Sequence, residues 1–166
     1  MKIAIFTDTF LPLQDGVVTA TIGLAKGLAD RGHKICIICP KFPGLKKEFK
    51  YPGVNVIRIS SIPAMFYEGY RFTSFFNPKL LKMIKKEKID IIHIQTPITL
   101  GLQGIILAKL LGLPLVGTFH TLITHDQYIN HLHINPKIIK KFSWLYIRAY
   151  FNYCDLVTCP SEIIKK

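Results

Sequence analysis

Carboxylates are in short supply: 10 Asp and Glu stand against 22 Lys and Arg in 166 residues, giving a formal net charge of +12 and a pI near 9.6. That imbalance disfavours cationic partners and favours anionic ones such as nucleotides, nucleic acid or acidic lipid head groups, without choosing among them. Cysteine is nearly as sparse, with Cys36 and Cys39 in KICIICP and Cys154 and Cys159 in YCDLVTCPS. Strand residues three apart point to opposite faces, so the first pair cannot share a metal. No His or Cys stands at zinc-finger spacing from the second. The expectation is reduced thiols, no bound metal and a cytoplasmic setting. The opening apolar run breaks at Thr7 and Asp8, too soon for a signal-peptide core. The longest apolar stretch, GIILAKLLGLPLVGTF, carries Lys109 and Pro114 and is expected as helix, turn and strand rather than a membrane span.

Several chemical signatures are missing too. The loop after the first apolar run has only Gly16 where a dinucleotide site wants GxGxxG, and the second run ends CPKFPG without the acid that holds a ribose. Nicotinamide hydride transfer is therefore disfavoured. There is no GxxxxGKS/T phosphate loop and no GxSxG nucleophile turn. The basic residues are scattered, with no recognition-helix, RNP or zinc pattern, so nucleic acid is not an expected partner. No internal repeat or low-complexity linker divides the chain, and its length suits one domain around a single core.

What is present is a regular alternation. KIAIFT, KICIIC, VNVIRI, IDIIHI, LPLVGTF and DLVTCP read as strands, mostly continuous apolar runs suited to a parallel sheet covered on both faces. Helices are expected at about 17–31, 78–88, 100–111 and 137–152. Strands alternating with helices imply right-handed βαβ crossovers and an α/β, Rossmann-like doubly wound sheet. The one long irregular stretch expected is SSIPAMFYEGYRFTSFF, rich in aromatics for a loop. It reads either as a flap over the core or as an acceptor or membrane contact.

In such a sheet the loops leaving the strands' carboxyl ends converge beside the topological switch point. Three polar segments would meet there: Asp8 to Gly16, QTPIT at 95–99, and HTLITHDQ at 120–127. They bring Gly16 amides, hydroxyls at Thr96, Thr99, Thr121 and Thr124, imidazoles at His120 and His125, and carboxylates at Asp8, Asp15 and Asp126. Each has a plainer reading. Gly16 also suits a tight turn before a helix, Asp15 a turn former, and His93 a hydrogen-bonded core residue. His125, His131 and His133 form a loose cluster that is no metal motif.

Together KIAIFTDTFLPLQDGV, LADRGHKICIICP, DIIHIQTP, GTFHT and CDLVTCPSEIIKK resemble the amino-terminal half of retaining glycosyltransferases of the sucrose-synthase-like and phosphatidylinositol-mannosyltransferase group. The pattern is most similar to enzymes that glycosylate diacylglycerol or phosphatidylinositol. The resemblance implies a GT-B architecture: two Rossmann-like domains facing across a cleft, residues 1–166 being the acceptor-side one and the carboxyl-terminal nucleotide-sugar domain lying outside this sequence. It implies that Gly16 lets backbone approach the donor phosphates, although the family's paired glycines are here Asp15 and Gly16. His120, in GTFHT, matches the histidine that lines the donor-sugar pocket and positions the transferring sugar. Asp8, Asp15, Thr96 and Thr121 become acceptor-side or cleft-lining candidates. The whole protein is expected to move a hexose, with retention, from a nucleotide diphosphate sugar to a hydroxyl acceptor such as a membrane lipid. No other cofactor and no metal is implied. The residues that grip the diphosphate would lie in the second domain, so residues 1–166 alone are expected to be inactive. A non-catalytic sugar- or nucleotide-binding module is the alternative.

Two further expectations concern the carboxyl-terminal third. In PKIIKKFSWLYIRAYF, Ile138, Phe142, Leu145 and Ala149 form an apolar stripe at helical spacing. Lys137, Lys141, Trp144 and Arg148 form a second stripe, the pattern of an interfacial helix on anionic head groups, with Lys85, Lys86 and Lys88 adding to the field. The other reading is a solvated basic face with Trp144 against a neighbouring loop or domain. Finally, Ser161 in SEIIKK reads as the N-cap of a helix that a larger protein would continue.

Overall fold

In a computed structural model the described residues are 1–45, 47–64, 70–120 and 136–160, with side chains of 136–140 excepted. The elements are β1 (Lys2–Phe6), α1 (Gly16–Asp30), β2 (Lys34–Pro40), β3 (Val54–Ile59), β4 (Ser61–Pro63), β5 (Arg71–Thr73), α2 (Pro78–Glu87), β6 (Ile91–Ile94), α3 (Thr99–Leu111), β7 (Leu115–Thr118), α4 (Pro136–Phe151) and β8 (Leu156–Thr158). Six strands form one parallel sheet in the order β3-β2-β1-β6-β7-β8. Because the chain winds outward from β1 to β3 and then returns to β1's other side at β6, the switch point lies between β1 and β6.

The strand period of two sorts the core. Ala4, Phe6, Cys36, Ile38, Ile92 and Ile94 pack on one face with Leu80 and Ile84 of α2 and with Leu100, Leu107 and Ala108 of α3. Ile3, Ile5, Ile35, Ile37 and Cys39 pack on the other with Phe10 and with Val18 and Ala25 of α1. Cys36 and Cys39 thus face opposite sides, and all four cysteines are free thiols. The apolar run from Gly104 to Phe119 divides as its composition dictates. Gly112, at φ 62°, closes α3 in the left-handed region, and Pro114 precedes β7.

One expectation is corrected, and two exposed faces are added to it. The aromatic stretch is not wholly irregular: β4 and β5 pair antiparallel, Ser61 opposite Thr73, leaving 65–69 outside the described residues. In α4 the apolar stripe of Phe142 and Leu145 faces solvent. Phe142 is 66% and Leu145 64% exposed, whereas Ile147 and Tyr150 are buried. The helix turns Ile147 and Tyr150 inward, and the Tyr150 hydroxyl reaches the loop after β6, as described below. β8 is not a buried strand either, since Leu156 and Val157 are exposed at the sheet's edge. Among the described residues no helix is long and apolar enough to cross a membrane.

Candidate functional site

The site is built where β1, β6 and β7 release the chain at their carboxyl ends. Asp8 lies two residues beyond β1 and is wholly buried. Its Oδ1 accepts from Thr99 Oγ1 at 2.8 Å and from the Leu100 N–H at 2.7 Å. Its Oδ2 accepts from Thr96 Oγ1 at 2.7 Å and from the Gly101 N–H at 3.3 Å. The Asp8 N–H in turn donates to Thr96 Oγ1. α3 begins after Ile98, which offers no side-chain cap, so the aspartate of the loop after β1 caps it. Burial pushes the Asp8 carboxyl up from its ordinary range, opposed by these four donors.

This network reaches further. Thr99 Oγ1 also accepts from the Thr73 N–H at 3.1 Å, tying the β4–β5 hairpin to α3. From the other side, Tyr150 donates to the Thr96 carbonyl and Tyr146 to the Pro97 carbonyl, at 3.1 and 2.6 Å. A Cβ on Gly101 would collide with the Thr96 carbonyl and the Tyr150 hydroxyl, so only glycine fits there. Asp8 and Thr96, expected on the cleft wall, therefore lie beneath it: they hold the β1 and β6 loops together.

Asp15 and Gly16 stand at the start of α1. Asp15 Oδ1 accepts from the Val18 N–H at 2.7 Å and Oδ2 from Thr9 Oγ1 at 2.9 Å, which makes it the N-cap. Gly16 is exposed, its φ lies outside the left-handed region, and nothing stands within 4 Å of where a Cβ would be. Turn geometry and packing give no reason for glycine here. Among the described residues no group accepts from the Gly16 or Val17 N–H. The helix start is thus an open, electropositive corner.

His120 follows β7, half-buried, with Nε2 2.6 Å from Gln95 Oε1. Desolvation holds its pKa below the ordinary imidazole value, while the Asp15 carboxylate acts upward, so the α1 corner and His120 share one field. His93, one strand inward, bonds Thr118 Oγ1 at 2.7 Å, and Thr118 bonds Thr158 at 2.8 Å. Burial first, then His120, pushes His93 down to about 4. It is the hydrogen-bonded core residue its alternation suggested. Among the described residues no three His, Cys, Asp or Glu side chains group as metal ligands.

Of the membrane-surface candidates, Lys141, Trp144 and Arg148 are exposed on α4, Trp144 by 44%. Lys137 lies in the helix's first turn, before the described side chains. Thr121, Thr124, His125, Asp126, His131, His133 and Ser161 lie outside the described residues. Two contributors went unnoticed in the sequence. Gln95 was visible only as the first polar residue closing an apolar strand. The tyrosines of α4 had no signal beyond aromatic content, because their partners are backbone carbonyls far away in sequence.

Comparison with known proteins gives a consistent picture. The sequence pattern of Glycosyltransferase Family 4 matches residues 14–166. The chain is 34% identical to an alpha-monoglucosyldiacylglycerol synthase of Streptococcus pneumoniae over 99% of its own length and 36% of that protein's. It is 33% identical to the synthase of the same name from Acholeplasma laidlawii, over 99% of this chain and 42% of that one. The chain therefore spans well under half the length of these relatives. Among solved structures, a sucrose-phosphate synthase from Thermosynechococcus elongatus superposes with a TM-score of 0.61 at 16% identity, covering 94% of this chain and 41% of that one. That last likeness concerns the fold.

Proposed function

We propose, since the chain belongs to Glycosyltransferase Family 4, that it is the amino-terminal, acceptor-side domain of an enzyme that transfers a hexose from a nucleotide diphosphate sugar to a lipid hydroxyl with retention at the anomeric carbon. The observation that carries the reading is the Gly16 corner. An exposed helix start with unclaimed amides, and a glycine that neither turn nor packing requires, stands in the same field as His120. Diphosphate oxygens suit the amides and the helix dipole. His120, neutral at pH 7 because burial lowers its pKa, would hold a hydroxyl of the transferring sugar as the glycosidic bond loosens, a contribution of position and hydrogen bonding.

No carboxylate described here suits a double displacement. Asp8 is buried and saturated with donors, and Asp15 is bound to Val18 and Thr9. The groups that hold the nucleotide and the rest of the diphosphate would come from a second, carboxyl-terminal domain, so residues 1–166 alone would not turn donor over. The names of the two synthases support diacylglycerol as the acceptor class. Contact with a membrane would come through exposed apolar and basic groups: Phe142, Trp144 and Leu145 with Lys141 and Arg148 on α4. The setting we propose is peripheral, on the cytoplasmic face.

The experiment is a product assay. The full-length protein is incubated with nucleotide diphospho-glucose or -mannose and vesicles containing diacylglycerol or phosphatidylinositol, and the lipids are separated. A glycolipid with an α-linkage is expected; a β-linked product, or transfer only to soluble sugars, would contradict the reading.

A further inference from the structure

Gln95 is buried near the corner without belonging to the capping network. It leaves β6 one residue after Ile94, and its N–H donates to the Phe6 carbonyl at 2.8 Å, so its backbone is fixed against β1. β6 and β7 pair with Ile94 opposite Gly117, which releases Gln95 and the residues leading to His120 from neighbouring strands at the same edge. The Gln95 side chain is 2% exposed. One end of the amide meets His120, and the other, Nε2, is buried without a partner among the described residues. A buried amide kept only for packing would be better replaced by an apolar residue of the same size, because an unmet donor costs free energy. What sets this amide apart is the imidazole.

We infer that Gln95 is a positioning residue for His120: its Oε1 accepts from Nε2–H at 2.6 Å, fixing the imidazole as that tautomer and leaving Nδ1 as its one acceptor. An amide oxygen carries lone pairs and no proton, so the ring nitrogen that faces it is the donor. A neutral imidazole has one donor and one acceptor, and a partner on one nitrogen decides the role of the other. Nδ1 can then accept from a hydroxyl and cannot donate to one. Among the described residues the titrating groups that reach His120 are Asp15 at the start of α1 and His93 on β6. That the accepted hydroxyl belongs to a donor sugar rests on the proposed glycosyl transfer. The tautomer does not.

The test separates the two. The chain is labelled with 15N-histidine, and long-range 1H–15N correlation spectra are recorded at neutral pH, with H120A identifying the His120 signals. The expected result is a proton on Nε2 and none on Nδ1. Gln95→Glu keeps that tautomer, since a carboxylate also accepts, and moves the pH profile of transfer by the full-length protein upward. Gln95→Leu mixes the tautomers and lowers kcat roughly a hundredfold with the donor KM nearly unchanged. A wild-type His120 protonated on Nδ1 overturns the inference. So does a Gln95→Leu protein with wild-type spectrum and wild-type kcat. If Gln95→Leu does not fold, the wild-type spectrum and the Gln95→Glu profile decide. If the tautomer is as stated and no form transfers sugar, the positioning stands and the glycosyl-transfer reading falls.

Discussion

Asp8 and Asp15 are seven residues apart and both end up at helix starts, yet their side chains are worth different amounts. Asp15 caps its own helix at a half-buried position, accepting from one amide and one hydroxyl. Its removal should cost about 1 kcal/mol, as for other N-caps. Asp8 caps a helix that begins ninety residues later and is sealed from water. Asp8→Ala would strand the Leu100 and Gly101 amides in the interior, a loss of about 3 kcal/mol, read in thermal melts as a midpoint lower by roughly 6–12 °C. Equal losses from Asp8→Ala and Asp15→Ala would refute that ranking. His93 gives a pH signature. Its imidazole titrates at about 4 in the folded chain against about 6.5 unfolded, so between these values the unfolded state binds more protons. Stability contributed by the neutral form is complete above pH 6.5 and drains away as the pH falls to about 4, by about 3 kcal/mol at about 1.4 kcal/mol per pKa unit. Chemical denaturation across that window should show the loss in the wild type, and His93→Gln should flatten it.

At the scale of elements, the alternation of strands and helices was legible and the choice of exposed faces was not. Apolar periodicity placed four helices within a residue of their observed limits and six strands in one parallel sheet, because those signals are local. The same periodicity found the stripe of Phe142 and Leu145 but not which way it faces. It is exposed because the competing face buries Ile147 and Tyr150, with the Tyr150 hydroxyl on the Thr96 carbonyl and the Tyr146 hydroxyl on the Pro97 carbonyl. Hydrophobicity alone does not register a hydrogen bond to distant backbone. The β4–β5 hairpin was hidden likewise, since its short strands are held by Thr73 on Thr99 rather than by an apolar pattern. The exposed α4 face carries its own prediction. In flotation at physiological ionic strength the chain should favour anionic over neutral vesicles. Lys141→Ala with Arg148→Ala should lower that partition roughly 30-fold, at about 1 kcal/mol for each cation near the surface. Equal flotation with both vesicle types would remove the membrane from the account.

For the whole molecule, the sheet order places the candidate groups. Winding out from β1 and back to β6 brings loops from residues 8–16, 95–99 and 119–120 to one edge, and this convergence could be anticipated once the strands were counted. What could not be anticipated was the division of labour among the polar residues gathered there. Asp8, Thr96 and Thr99 tie the loops together from below, whereas Gly16 and His120 remain toward solvent. Polar side chains look alike in a sequence whether they bind each other or a ligand; burial and partner count tell them apart. If Gly16 is glycine for the sake of a donor phosphate, a side chain there should cost transfer and not stability. The most direct measurement pairs thermal melting with sugar transfer for Gly16→Val in the full-length protein. Because the position has open space and ordinary φ, the account predicts a melting midpoint close to wild type and transfer reduced at least about a hundredfold, on the order of one lost charge-stabilising contact. Wild-type transfer by a Gly16→Val protein that melts like the wild type would contradict it.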